Sequence, residues 1–95
     1  MFDDIVTLIW PKEGRTEEKT DVFARVESIS QTEFFAAAET GLKPEYKISL
    51  WADDYDGQPL VLVRGRRYSV YRTYMRADQK IELYVSERIG VRGGK

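Results

Sequence analysis

Strict alternation of side chains near the carboxyl end limits most strongly what this chain can fold into. Residues 80–87, KIELYVSE, alternate aliphatic groups with polar or amphipathic ones, so a strand here has one apolar and one polar face. The tyrosine-rich segment 68–75, YSVYRTYM, precedes it across the short polar connection 76–79. These residues predict a β-hairpin whose apolar side joins the core and whose other side can meet a partner.

Four further strands are predicted along the rest of the chain. Apolar-rich or alternating runs occupy residues 4–10, 22–27, 46–51 and 60–63, and each has the length of a short strand. Six strands at close spacing predict a mainly β fold, a small six-stranded β-barrel with one short α-helix, because closing the sheet removes edges that invite aggregation. All 95 residues suit a single domain with one modest core.

The helix is predicted from residue 30 onward. Ser30 and Glu33 have the spacing of a capping box, in which the serine hydroxyl accepts from the N–H of Glu33 and the carboxylate returns to the N–H of Ser30. Gly41 supplies a left-handed stop. Because so short a helix is not stable alone, we expect it to dock on the sheet. The expected docking residues are Phe34, Ala37 and Ala38.

Composition excludes most catalytic chemistry. Without cysteine or histidine, the chain cannot form disulfides, common zinc sites, a cysteine nucleophile or an imidazole base. Residues 53–57, DDYDG, resemble half of a calcium loop, but placing Gly57 at the sixth position leaves Ala52 and Val63 where carboxylates are needed. We therefore expect no catalytic residue, metal or cofactor. No apolar run is long enough to cross a bilayer, and a soluble protein of a reducing cytoplasm is expected.

Charge is distributed unevenly along the sequence. Residues 1–59 carry 6 basic and 13 acidic side chains, a balance of −7, whereas residues 60–95 carry 9 basic and 3 acidic ones, a balance of +6. Opposite charge on two surfaces of one small molecule would favour head-to-tail contact between copies, which closes into a ring when the rotation permits. The alternative is that strands of both parts interleave and the charges mix on every face.

Arginines are interleaved with tyrosines in the second part of the chain, as on small barrels that hold single-stranded nucleic acid. The set comprises Arg64, Arg66, Arg67, Arg72, Arg76 and Arg88 with Tyr68, Tyr71, Tyr74 and Tyr84. Alternate residues of a strand face opposite ways, so these side chains cannot all line one groove. Nucleic-acid binding is the alternative function, and a solvated surface with arginine stems over tyrosine rings is the simpler interpretation.

Three ordered segments resemble the head closure proteins, also called head-tail joining or stopper proteins, of long-tailed bacteriophages and prophages. They are residues 29–36 (ISQTEFFA), 54–57 (DYDG) and 68–90, which includes VYRTY at 70–74 and IELYV at 81–85. The similarity extends over residues 4–91. It implies a small β-barrel with one short helix and a structural function without enzymatic activity.

The resemblance also implies partners and a location. Members of that family form a ring beneath the adaptor ring of the portal vertex after genome packaging, retain the DNA and offer the surface to which a tail attaches. The implied partners are further copies of this chain, the adaptor or portal-vertex protein and a tail completion protein, with packaged DNA at the channel and no membrane. The implied location is the virion head-tail connector, with assembly in the host bacterial cytoplasm.

Two sets of candidate site residues follow. The protein-interface set is Phe35, Trp51, Tyr55, Arg72, Tyr74 and Tyr84. The channel loop, which the resemblance places at residues 39–47, includes Glu39, Gly41, Leu42, Lys43, Pro44, Glu45 and Lys47. Phe34 and Phe35 lie about 100° apart around a helix, so either one is partly exposed or barrel curvature buries both. Residues 12–20 and 39–47 are expected to be mobile loops and residues 91–95 a loose tail.

Overall fold

A closed, six-stranded antiparallel barrel with one helix is formed by residues 2–12 and 16–87, the part of the chain that this computed structural model describes. The strands are β1 (Asp4–Trp10), β2 (Glu18–Ser28), β3 (Pro44–Trp51), β4 (Leu60–Val63), β5 (Arg66–Met75) and β6 (Lys80–Glu87), and the helix α1 spans Gln31–Ala38. The predicted fold class is confirmed. The predicted tail 91–95, Arg88 and part of the predicted loop 12–20 lie outside the described residues.

The core is built from the inward-facing positions of alternating strands. On β6, Ile81, Leu83 and Val85 are at most 6% exposed, as their alternation with polar residues predicted. They belong to one core cluster with fully buried side chains of other strands, among them Leu8, Ile48, Leu50 and Val61. Apolar burial of this kind is the main favourable term in the stability of a small barrel.

The order of strands around the wall separates the acidic and basic parts of the chain. Neighbours run β1-β2-β3-β6-β5-β4, and β1 pairs with β4 to close the barrel. Residues 4–51 and 60–87 therefore form opposite halves of the wall, and the strands of the two parts do not interleave. Among the described residues, those before position 60 carry 5 basic and 12 acidic side chains, and those from position 60 on carry 6 basic and 3 acidic.

Two of the predicted loops are shorter in the structure. β2 begins at Glu18, four residues before the predicted position, because the ladder with β1 continues until Glu18 lies opposite Trp10. β3 begins at Pro44, because its pairing with β6 continues past a bulge. The second parts of segments 12–20 and 39–47 therefore belong to the barrel wall.

Helix α1 begins and ends as predicted but packs differently. The Ser30 hydroxyl accepts from the N–H of Glu33 at 3.2 Å, and Gly41 has φ +86° after the helix. Only Ala37 is buried; Phe34 and Ala38 are exposed, so the predicted docking through these two residues is wrong. The helix extends from the barrel with little apolar contact, and a polar connection to β5, described below, holds it.

Candidate interaction surfaces

Five side chains from four separate segments form an aromatic groove at one end of the barrel. We use this name for Phe2, Phe23, Trp51, Asp54 and Lys80, which line a cavity of about 420 Å³. The Phe2 and Trp51 rings meet edge to face with centroids 5.3 Å apart. The Lys80 ammonium lies 5.4 Å from each of these two ring centroids. The groove is an apolar slot with a cation placed over its aromatic wall.

The groove is open to solvent and continues into a wider apolar surface. Phe23 is 61% exposed and Trp51 46% exposed. Ile5, which lies opposite Phe23 in the β1–β2 ladder, is 60% exposed. Side chains of this size exposed together mark sites of association far more often than single exposed residues do.

A second exposed aromatic pair lies on α1. Phe34 and Phe35 meet edge to face with ring centroids 5.7 Å apart. Phe34 is 44% and Phe35 61% exposed. The alternative in which barrel curvature buries both rings is therefore wrong, and exposure is not limited to one ring, because both reach solvent. We call Phe34 and Phe35 the helix pair.

A polar cluster fixes α1 to the outside of β5. The Glu33 carboxylate accepts from the Arg72 guanidinium at 2.5 and 3.2 Å and from the Tyr71 hydroxyl at 2.7 Å. The guanidinium of Arg72 stacks at 4.0 Å from the Tyr84 ring centroid. We name these four residues the helix latch. One of the two predicted capping-box bonds is present, the one from the N–H of Glu33 to the Ser30 hydroxyl. The predicted return bond to Ser30 is replaced, because the Glu33 carboxylate binds to β5.

The ionisation of the latch follows from these contacts. The hydrogen bond from Arg72 is the largest cause that lowers the pKa of Glu33 below its ordinary value of 4.5. Burial, together with the neighbouring Glu33 carboxylate, raises the pKa of Tyr71. Burial and the bond to Glu82 raise the pKa of Tyr84 to about 12. At neutral pH the latch is therefore a carboxylate held by a guanidinium and a protonated phenol.

The structure divides the predicted interface set among different environments. Trp51 lies in the groove, Phe35 in the helix pair, and Arg72 with Tyr84 in the latch. Tyr74 is exposed on β5 opposite Glu82. Tyr55 packs against the core and its hydroxyl donates to the carbonyl of Gln58 at 2.8 Å.

Four of the five groove residues were missed in the sequence analysis: Phe2, Phe23, Asp54 and Lys80. Phe23 did carry a signal, since it alternates with the inward-facing Val22 and Ala24 and must therefore point outward. The groove itself could not be predicted from spacing, because the four segments that form it lie 21 to 78 residues apart in the sequence.

The predicted channel loop is divided between a short connection and the wall. Glu39 caps α1, the N–H of Leu42 donates to the carbonyl of Ala37, and the carbonyl of Lys43 accepts from Glu87. Beyond these residues the chain is strand. Pro44, Glu45 and Lys47 are members of β3, and Lys47 forms ion pairs with Glu27 and Glu82. Residues 39–43 are the part of this segment outside regular structure.

Most of the arginines considered for nucleic-acid contact have carboxylate partners. Arg67 forms two 2.7 Å bonds to Glu17, and Arg64 lies 3.1 Å from Asp4. Arg76 pairs with Asp78 at 3.0 Å, and Arg72 belongs to the latch. Stacking of Arg72 on Tyr84 agrees with the interpretation in which arginine stems cover tyrosine rings on the surface.

Within residues 2–12 and 16–87, no cluster of three or more carboxylates could hold a metal ion, and no helix has the length and apolar character needed to span a membrane.

Comparison of this sequence with known proteins found no matching protein-family model and no matching curated protein. The candidate functional features of the described residues are the aromatic groove, the helix pair and the latch between helix and barrel.

Replacement of Glu33 by glutamine is expected to loosen α1 without unfolding the barrel. Because Arg72 is nearly half exposed and water screens the ion pair, we expect the stability of the helix attachment to fall by about 1 kcal/mol or less, with faster hydrogen exchange at the α1 amides.

The same contact makes the attachment of α1 depend on pH. The stabilisation that Glu33 contributes is complete above pH 4.5 and declines as the pH falls through its lowered folded-state pKa. We therefore expect acid to loosen α1 in the wild type and to have no such effect in E33Q. Glu39→Gln, on the same helix but outside the latch, is the matched control; equal exchange in both variants would contradict the latch.

Proposed function

We propose that this chain is a structural component of a phage head-tail connector. Copies form a ring beneath the adaptor ring of a DNA-filled head, obstruct the channel and provide the surface to which a tail attaches. The observation that carries the proposal is the combination of a closed barrel with two exposed aromatic surfaces, the groove and the helix pair. A small protein with this arrangement is suited to adhesion between macromolecules.

Three further observations support an adhesive function. The acidic and basic parts of the chain form opposite halves of the wall, which favours contact between unlike surfaces of neighbouring copies. The sequence resembles head closure proteins in the helix and in the last hairpin. The barrel with a single helix agrees with the fold that this resemblance implies.

The alternative function, binding of single-stranded nucleic acid, has less support. Phosphate recognition needs cationic side chains directed at a common groove. Here Arg64, Arg67, Arg72 and Arg76 are engaged with carboxylates on different parts of the wall. Contact with packaged DNA at a channel remains part of the proposal, through the bulk of residues 39–43, where Glu39 and Lys43 have opposite charge.

Electron microscopy tests the proposal directly. DNA-filled heads that carry an adaptor ring should gain one further ring of density when incubated with the purified chain, and should then join tails. Heads without adaptor serve as the control and should gain nothing. The proposal is wrong if the adaptor-bearing heads remain unchanged. Salt-sensitive oligonucleotide binding by the isolated protein, with no gain of tail joining, would favour the alternative function.

A further inference from the structure

We infer that an open strand edge on β5 pairs with the same edge of a second copy, so that two chains join as an antiparallel dimer about a two-fold axis. We use the name open edge for residues 71–75 of β5. A two-fold contact uses the same surface on both copies and is complete when two copies have joined. This dimer therefore goes beyond the proposed connector ring and does not depend on it.

The open edge pairs with a neighbouring strand on one side only. β4 pairs with β5 from Arg66 to Ser69, and the last bond on that side joins the N–H of Val70 to the carbonyl of Pro59 at 2.9 Å. Farther along β5, the only strand of the described residues that pairs with it is β6. A strand with one free side is a template to which another strand can add.

Two residues of the open edge direct their backbone groups away from β6. The N–H of Arg76 donates to the carbonyl of Lys80 at 2.8 Å, so these two residues form a hydrogen-bonded pair of the β5–β6 ladder. Such pairs alternate along an antiparallel ladder with pairs whose N–H and C=O groups point to the other side of each strand. Met75 and Thr73 occupy these alternate positions. Within the described residues, no backbone group bonds to them on that side.

The side chains at these two positions show that the wall is incomplete beside the open edge. Thr73 and Met75 lie opposite Leu83 and Ile81, which are buried in the core, and residues directly opposite each other share one face of a sheet. Thr73 is nevertheless exposed, and Met75 is 61% exposed, because no strand continues the wall next to them. A strand added at the open edge would complete the wall there and cover both side chains.

A second copy fits this position because the open edge is self-complementary. When residues 71–75 of two copies pair antiparallel in full overlap, Thr73 faces Thr73 of the second copy, and Arg72 of each copy faces Tyr74 of the other. Threonine pairs and arginine beside an aromatic ring are favourable neighbours across strands. No two like charges lie directly opposite in this register, and each Arg72 guanidinium is already held by Glu33 of its own chain.

A comparable segment at the start of β2 lacks these properties. It pairs with β1 alone until β3 joins at Arg25. Three of its side chains are charged, Glu18, Lys19 and Asp21, and charged side chains on an edge are a common protection against strand addition. The open edge of β5 contains no proline, and its one charged residue, Arg72, is engaged in the latch. Of these two segments, the open edge is therefore the better template.

Opposite-charge variants at the two-fold axis test the dimer by sedimentation equilibrium. The wild type should dimerise reversibly as its concentration rises. Thr73→Lys places two ammonium groups face to face and should raise the dissociation constant of the dimer at least tenfold, because like charges juxtaposed in an interface cost more than the about 1.4 kcal/mol that this factor requires. Thr73→Glu should have the same effect. An equimolar mixture of the two variants should restore dimerisation, because each lysine then faces a glutamate.

Thr20→Lys is the matched control. Like Thr73, Thr20 is an exposed threonine opposite a fully buried leucine, in this case Leu8, but it lies on β2. This variant should dimerise as the wild type does. The dimer contact is excluded if the wild type stays monomeric throughout, if Thr73→Lys dimerises as strongly as Thr20→Lys, or if the mixture dimerises no better than either variant alone. None of these measurements involves phage heads, so their outcome and that of the ring-addition experiment are independent.

Discussion

Replacement of Leu83 by alanine is expected to lower the free energy of unfolding by about 3 kcal/mol. Leu83 is fully buried on β6, between β3 and β5, and belongs to the core cluster that all six strands share. Removing its branched end leaves a cavity that a closed wall cannot easily fill by moving inward, because each strand is hydrogen-bonded on both sides. Domains of this size have a total stability of only about 5–15 kcal/mol, so the change is a large fraction of the whole.

Urea denaturation followed by tryptophan fluorescence measures the effect. Thr73→Ala is the matched control, since Thr73 lies opposite Leu83 in the β5–β6 ladder but is exposed, and its free energy of unfolding should change by about 0.5 kcal/mol or less. A loss for Leu83→Ala no larger than that of the control would show that the Leu83 side chain does not contribute to the core.

The second large effect is expected from Trp51→Glu, and it concerns assembly. The substitution puts a carboxylate among the rings of the groove, where a protein contact made through this surface would leave it desolvated. Under the proposed connector function, we expect ring addition to DNA-filled heads to fall by at least tenfold, since about 1.4 kcal/mol suffices for that factor. Because Trp51 is 46% exposed at the end of β3, the midpoint of thermal unfolding should change little.

Lys19→Glu is the control for a new negative charge, because Lys19 is exposed on β2 and lies outside the groove and the helix pair. Ring density on heads and the fraction of heads that join tails are the two measurements. Normal ring addition by Trp51→Glu would exclude the groove from the assembly contacts.

Local sequence patterns predicted those parts of the fold that depend on neighbours along the chain. The alternation over residues 80–87 predicted β6 with its correct bounds, and Ser30 with Glu33 predicted where α1 begins. Both depend on contacts within one element. The starts of β2 and β3 were predicted too late, because they are set by the length of the partner strand and by a bulge opposite β6.

Local sequence patterns could not predict the candidate surfaces, because these surfaces combine segments that are distant in the sequence. The partners of Glu33 are 38 and 39 residues away in the sequence, so a capping box was the only local explanation for its position. The groove draws on the segment before β1, on β2, on the end of β3 and on the start of β6. Only the strand order brings these segments together, and the sequence left that order open.

Because α1 is attached to the barrel at few points, its exposed residues can vary during evolution. One small alanine and one charged cluster join the helix to a wall that is already closed by its own hydrogen bonds. The outward residues of the helix can therefore be exchanged without refolding the barrel. A few substitutions at exposed helix positions could therefore change which protein binds there during evolution. A chimera that carries the helix of another protein should keep the barrel and change its binding partner.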